Sequence, residues 1–171
     1  MKWVTKAHVH IDQIACPWLI KRFIDTEAEF FFVAKEYVND LALREKAIPF
    51  GVPETGSTNQ HNPCSFVAFL EKYSLNEPAL LKMGSLIHAA STADFKSHPF
   101  ASCLDALSQG YSLLVPDDLE NIEQQFALYD ALYNYFRMDG KKETTALSSK
   151  KKSETELLFS LPIETKKEAS K

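Results

Sequence analysis

Three groups of residues in this 171-residue chain carry side chains that do chemistry. The first surrounds a proline: Asp12 precedes Pro17, Trp18 follows it, and Lys21, Arg22 and Asp25 come after. Arginine meets an oxyanion with two hydrogen bonds from a planar fork. Arg22, helped by Lys21 and Lys6, is therefore placed as the centre of a small basic pocket, with Trp18, Asp12 and Asp25 as further ligand-binding candidates. Asp12 also suits the positive end of a helix dipole, and Arg22 can pair with Asp25. A plain framework of caps and salt bridges is the competing reading.

The second group is metal-like. Glu54, His61 and Cys64 share one loop, and His88 with Asp94 follow a helix later. Carboxylate, imidazole and thiolate ligate zinc or another divalent transition metal when three or four converge. An H-x-x-C spacing alone arises in polar loops by chance about as readily. The third group is looser. His8 and His10 would share a face if their segment were extended. Cys16 sits where a helix N-terminus could lower a thiol's pKa, although a buried structural cysteine fits the position better. Cys103 reads as a small core residue and His98 as the residue leading into a helix. Tyr129, Tyr133, Phe136, Tyr135 and Tyr37 offer aromatic surface for a pocket, a core or a subunit contact.

Other chemistries lack residues. The five glycines, at 51, 56, 84, 110 and 140, are too dispersed for a phosphate-cradling loop. No H-E-x-x-H, C-x-x-C or G-x-S-x-G occurs. The net charge of −4 is uneven: residues 1–139 hold 11 Lys+Arg against 18 Asp+Glu, a balance of −7, and 140–171 hold 8 against 5, a balance of +3. A −7 body repels nucleic acid and anionic membranes at long range, so neither is expected as a partner, and an anion site must be a focused pocket. Three scattered cysteines and the absence of a secretory or membrane-spanning apolar run point to a reduced, cytoplasmic setting.

These residues need elements to hold them. Apolar and aromatic runs predict strands at 3–5, 30–33 and 48–50. Helices are predicted with Pro17 in a first turn, over 35–46, over 65–73, from an Asn76 cap to about residue 90, and over 99–109 with Gly110 closing the end. Asp117 with Glu120 opens a long helix whose stripe holds Ile122, Phe126, Tyr129, Leu132, Tyr133 and Phe136. Residues 51–63 read as a loop, and 140–171 as a disordered Lys/Ser/Glu-rich tail. The expected fold is mostly α, α+β at most: a helical domain over 1–139 with a small two- or three-strand sheet. A homodimer through the 117–138 helix is the expected assembly.

Several segments together resemble one family. W-V-T-K at 3–6, I-D-Q-I-A-C-P-W-L-I-K-R-F-I-D at 11–25 and A-E-F-F-F-V at 28–33 are similar to the chromate-resistance protein family. That family is also described as chromate resistance exported protein, and as the C-terminal domain of the chromate-resistance regulator B. C-S-F-V-A-F-L-E-K-Y at 64–73, E-P-A-L at 77–80, P-D-D at 116–118 and Y-D-A-L-Y at 129–133 keep its register. The resemblance implies a small, mostly helical protein tied to chromate efflux or rhodanese-like functions. Some members carry a DNA-binding N-terminal portion; none is expected here, and neither a regulator's role nor export is expected. The chain departs from the family pattern at Lys6 and Gln13, where arginine is usual, at Asn59 in place of a histidine, at Ala89 and Ser91 in place of acidic residues, and at Pro99-Phe100 in place of Pro-Glu.

The reading that follows is an intracellular accessory or sensor protein that binds a small oxyanion around Arg22. The alternative is a metal-dependent or thiol-based enzyme of oxyanion or oxidative stress, with Glu54, His61, His88 and Asp94 as ligands and Cys64 or Cys16 as ligand or reductant.

Overall fold

The structure, a computed structural model, describes residues 1–52 and 65–159, with side chains for residues 1–52 and 66–138. In chain order its main elements are β1 (Lys2–Lys6), α1 (Ile11–Leu19), β2 (Glu29–Val33), α2 (Val38–Glu45), β3 (Ile48–Pro49), α3 (Ser65–Lys72), α4 (Pro78–Ser91), α5 (Ala101–Leu114) and α6 (Asp118–Phe159). The three apolar runs are the strands, and they form one parallel sheet in the order β2-β1-β3. The chain is thus mostly α with a small three-stranded sheet, as its sequence predicts.

The register places Trp3 beside Phe30 and Ile48, and Val4 beside Phe31 and Pro49. Because side chains alternate along a strand, the two faces separate cleanly. Trp3, Phe30, Phe32 and Ile48 pack into the main core with α1, α3, α4 and α6. Val4, Phe31 and Val33 meet Val38, Leu41 and Ala47 in a second, smaller core under α2. Both faces are covered, as a parallel sheet requires. At the end of β3, Gly51 adopts φ +65, and an added Cβ would stand 2.9 Å from Thr5 Oγ1 and 3.0 Å from Gln13 Nε2. Only glycine combines that turn with that close approach.

Several boundaries differ from the sequence expectation. Pro17 lies inside α1 instead of in its first turn, because the helix starts at Ile11. The His10 N–H donates to Gln13 Oε1 at 3.3 Å, which fixes that earlier start. Pro17 lacks the N–H that would bond the Gln13 carbonyl. After Leu19 the helix widens into a π-helical turn, Ile20–Ile24, closed by Asp25 N–H to Ile20 O at 2.7 Å. The α4 helix begins at Pro78 with Glu77 before it, not from Asn76, since proline favours the first helical position. The α5 helix runs through Gly110 to Leu114. A mid-helix glycine costs about 1 kcal/mol, and here Ser112 ties the last turn down, donating to Ser108 O at 3.1 Å with Val9 O at 3.3 Å. Asp117 caps α6 as predicted, accepting Glu120 N–H at 2.9 Å. The α6 backbone continues as helix past Gly140 to Phe159, across part of the segment whose composition predicts disorder.

The α6 stripe faces inward. Ile122, Tyr129 and Phe136 are buried, while Tyr135 and Met138 point out. No helix among the described residues is long and apolar enough to cross a membrane.

Candidate functional site

Two of the ligand-binding candidates meet on α6. Trp18, on α1, and Arg22, one turn later, share a helix face and converge on Asp130. The Trp18 indole N–H donates to Asp130 Oδ1 at 2.8 Å. Arg22 Nε donates to the same oxygen at 3.0 Å, and Arg22 Nη2 to Oδ2 at 2.7 Å. Three N–H groups thus cradle one carboxylate, and the ion pair remains open to solvent, with side-chain exposures of 46% and 38%. The hydrogen bonds from Arg22 and then Trp18 hold Asp130 below the usual carboxylate range, against an opposing push from partial burial. The same pairing raises the Arg22 guanidinium. Behind them Trp18 is fully buried among Phe66, Phe23, Tyr129 and Tyr133.

The remaining candidates of this group stand elsewhere. Asp25 accepts from the Met1 amine at 2.6 Å and from Trp3 Nε1 at 3.3 Å, and the amine contact lowers its pKa. Asp12 accepts the Phe66 N–H at 3.1 Å, at the start of α3, and the Cys16 thiol at 3.7 Å. Lys21 reaches the Thr26 carbonyl at 3.4 Å. Asp130 itself went unnoticed in the sequence. Its only signal is a place within Y-D-A-L-Y, and its partners lie 108 and 112 residues away.

The turn between β1 and α1 holds a second carboxylate. The backbone N–H groups of His8 and Val9 donate to Asp118 Oδ2 and Oδ1, each at 2.9 Å. His8 has φ 62, the left-handed conformation that lets successive N–H groups point into one concavity. The segment is therefore not extended at His8, contrary to the extended reading, although both histidines border one cavity beside the turn. His10 Nε2 lies 3.1 Å from Asp105 Oδ1. Here too sequence reasoning missed the partner, because Asp118 follows the more obvious cap Asp117.

Among the metal candidates, Glu54, His61 and Cys64 lie outside the described residues. His88 is on α4 and Asp94 follows its end; among the described residues no three His, Cys, Asp or Glu side chains gather as a metal set. Cys16 is fully buried. Cys103 is exposed instead of lying in the core, since its face of α5 borders an apolar groove with Leu107 and Tyr135. His98 Nδ1 accepts the Phe100 N–H at 3.2 Å just before α5, and burial lowers its pKa. Burial and the hydrogen bond to Glu77 push the Tyr133 hydroxyl up to about 12.

The Arg22–Asp130 pairing has a measurable pH signature. A carboxylate whose folded pKa is depressed stabilises the fold above its unfolded pKa, near 4, and stops doing so as pH falls through the folded value. The melting temperature of the natural chain should therefore exceed that of Asp130→Asn at pH 7, with the gap narrowing below about pH 4. Salt should shrink it as well, because the pair is half exposed. A gap constant from pH 7 to pH 3 would show that the charge on Asp130 does nothing.

These features define a mostly helical domain built on a short parallel sheet, with internal carboxylates held by preformed donors. Residues 3–136 match the family described as ChrB, C-terminal domain, and the chain belongs to that family. It is 29% identical over 144 residues to Protein ChrB of Cupriavidus metallidurans, an alignment that takes in 82% of this chain and 42% of that relative. The chain thus spans less than half the length of the relative it matches. No solved structure matches it.

Proposed function

We propose that this chain is an intracellular accessory or sensor protein of chromate or related oxyanion stress, and that it binds the oxyanion at Arg22 and Trp18. The observation that carries this reading is the convergence of three N–H donors on one solvent-facing carboxylate. Asp130 acts there as a built-in stand-in for the ligand. A tetrahedral dianion presents the same paired oxygens to the guanidinium fork, with more charge. Exposed ion pairs stabilise by only about 0–1 kcal/mol, so a dianion at millimolar concentration can compete with the internal carboxylate. Displacing Asp130 would loosen α6 from α1, which gives a sensor its output. The relative's printed name, and the chromate context of the family, support this choice of ligand class. The buried α6 stripe is spent on the core, so a second copy joining along 117–138 would meet outer residues such as Tyr135 and Met138.

Titration calorimetry with chromate and with sulfate tests the reading. Asp130→Asn weakens the internal competitor and should raise oxyanion affinity about fivefold, the equivalent of about 1 kcal/mol. Arg22→Lys, which loses the planar fork, should lower it about tenfold. Absence of saturable heat up to about 10 mM oxyanion in both the natural chain and Asp130→Asn would end the proposal.

A further inference from the structure

The three-stranded sheet has two edges, and they are built differently. β3, on one side, is two residues long and ends on Pro49, which has no N–H to offer another strand. β2, on the other side, is a regular five-residue strand, E-F-F-F-V, with neither proline nor lysine along it. We propose that a second copy of this chain adds across β2, antiparallel about a two-fold axis at Phe31, so that two three-stranded sheets join into one. This is independent of the oxyanion reading, and it moves the self-contact from the Tyr135 end of α6 to β2 and the first turns of α6.

The backbone of β2 is only half used. Glu29 N–H donates to the Met1 carbonyl at 2.9 Å, and the Val33 carbonyl accepts the Ala7 N–H at 2.7 Å. Glu29, Phe31 and Val33 therefore turn their backbone groups toward β1, and Phe30 and Phe32 turn theirs outward. Among the described residues no hydrogen bond reaches those outward groups. Nor is the edge covered. Ala28, Glu29, Phe30 and Phe31 all border a cavity of about 350 Å³, whose far wall is Leu119, Glu123 and Phe126 of α6. Because side chains alternate between faces, four consecutive residues meet one cavity along a strand's edge. Trp3, Val4 and Thr5 in the central strand are 0% exposed, whereas each residue from Phe30 to Val33 is partly exposed. An uncovered apolar edge of this kind invites another strand.

The order of charges says which strand. The run E-A-E-F-F-F-V-A-K at 27–35 is acidic before its aromatic centre and basic after it, and Glu27, Glu29 and Lys35 are exposed. Antiparallel pairing about Phe31 sets Glu27 opposite Lys35 of the second copy, with Glu29 diagonal to that lysine on the same face. The two-fold axis repeats the match at the other end, so opposite charges meet at both. Phe30 then faces Phe32 of the second copy as a hydrogen-bonded pair, which uses the outward N–H and carbonyl groups of both. The two Phe31 residues face each other as the closer, non-hydrogen-bonded pair. Leu119, 44% exposed beside the edge, adds apolar area to the contact.

Sedimentation equilibrium of the full chain from about 5 to 500 μM, with amide hydrogen exchange at both ends of that range, tests this. A reversible dimer should form, and the Phe30 and Phe32 amides should exchange at least about fivefold more slowly at the high concentration, while Phe31 does not change. Lys35→Glu, which puts like charges at both ends, should weaken the dimer at least about fivefold. The reversal Glu27→Lys/Glu29→Lys/Lys35→Glu should restore it, and the melting temperature of each dilute variant checks that the monomer still folds. A chain that stays monomeric throughout, a dimer indifferent to Lys35→Glu, or a dimer abolished by Tyr135→Ser with the Phe30 and Phe32 amides unaffected would each overturn the proposal.

Discussion

Replacing Trp18 by alanine should remove about 3–5 kcal/mol of the protein's stability. The indole is fully buried, with ring centroids of Phe23 at 5.6 Å, Tyr133 at 5.8 Å, Tyr129 at 6.1 Å and Phe66 at 6.5 Å. It ties α1 to α3 and α6 at once, so no single element can shift to refill the space. Truncating a buried tryptophan costs about 3–5 kcal/mol, against a total that for most domains is about 5–15 kcal/mol. The Asp130 carboxylate also loses the donor at 2.8 Å, although Arg22 still holds it. Urea unfolding followed by far-UV circular dichroism gives the number. A loss below about 1.5 kcal/mol would mean that this aromatic cluster is not the centre of the core. Trp18→Phe keeps one aromatic ring in the cluster while removing the N–H and part of the indole's volume, so its cost should fall below that of Trp18→Ala.

Asp118→Ala should come second, at about 2–3 kcal/mol. Both carboxylate oxygens disappear, leaving the His8 and Val9 N–H groups without their acceptor. Val9 is 2% exposed, so water does not readily replace that partner. A buried donor stripped of its acceptor costs about 1–3 kcal/mol. His8 then also keeps its left-handed backbone without the bond that holds it there, a conformation that costs about 1 kcal/mol or more. Hydrogen exchange provides a local readout: the Val9 amide should exchange faster by at least tenfold relative to core amides of α4. If stability and the Val9 exchange rate both stay as they were, the carboxylate is dispensable for the turn.

Much of the architecture is written in short local patterns. The runs around Trp3, Phe30 and Ile48 are β-branched and aromatic, and each became a strand. Asp117 with Glu120 announces the start of α6, and the capping bond is present. What local pattern does not carry is pairing. Nothing in three short strands says that they run parallel, and nothing near Arg22 says that its partner is Asp130. Local signals also lose where tertiary contacts outweigh them. Gly110 looks like a helix end, yet the tie from Ser112 to the β1–α1 turn carries α5 onward. Pro17 looks like a helix start, yet the His10–Gln13 contact begins α1 earlier. The functional candidates follow the same rule. Arg22 and Trp18 stand out by residue type, whereas Asp118 and Asp130 acquire meaning only through distant partners.

The tie between the β1–α1 turn and α6 has a consequence for how the chain comes to its final form. His8 and Val9 meet Asp118 across separations of 110 and 109 residues, and the Ile11 carbonyl waits for Tyr129 across 118. This turn is therefore completed only after α6 has been made, more than a hundred residues later. Until α6 has been synthesised, the emerging N-terminal half carries an unfinished turn and an uncovered aromatic cluster. Contacts of such long sequence separation slow folding. Between the appearance of Trp18 and that of Tyr129 the aromatic cluster lacks its α6 partners, and transiently exposed apolar surface of this kind favours aggregation.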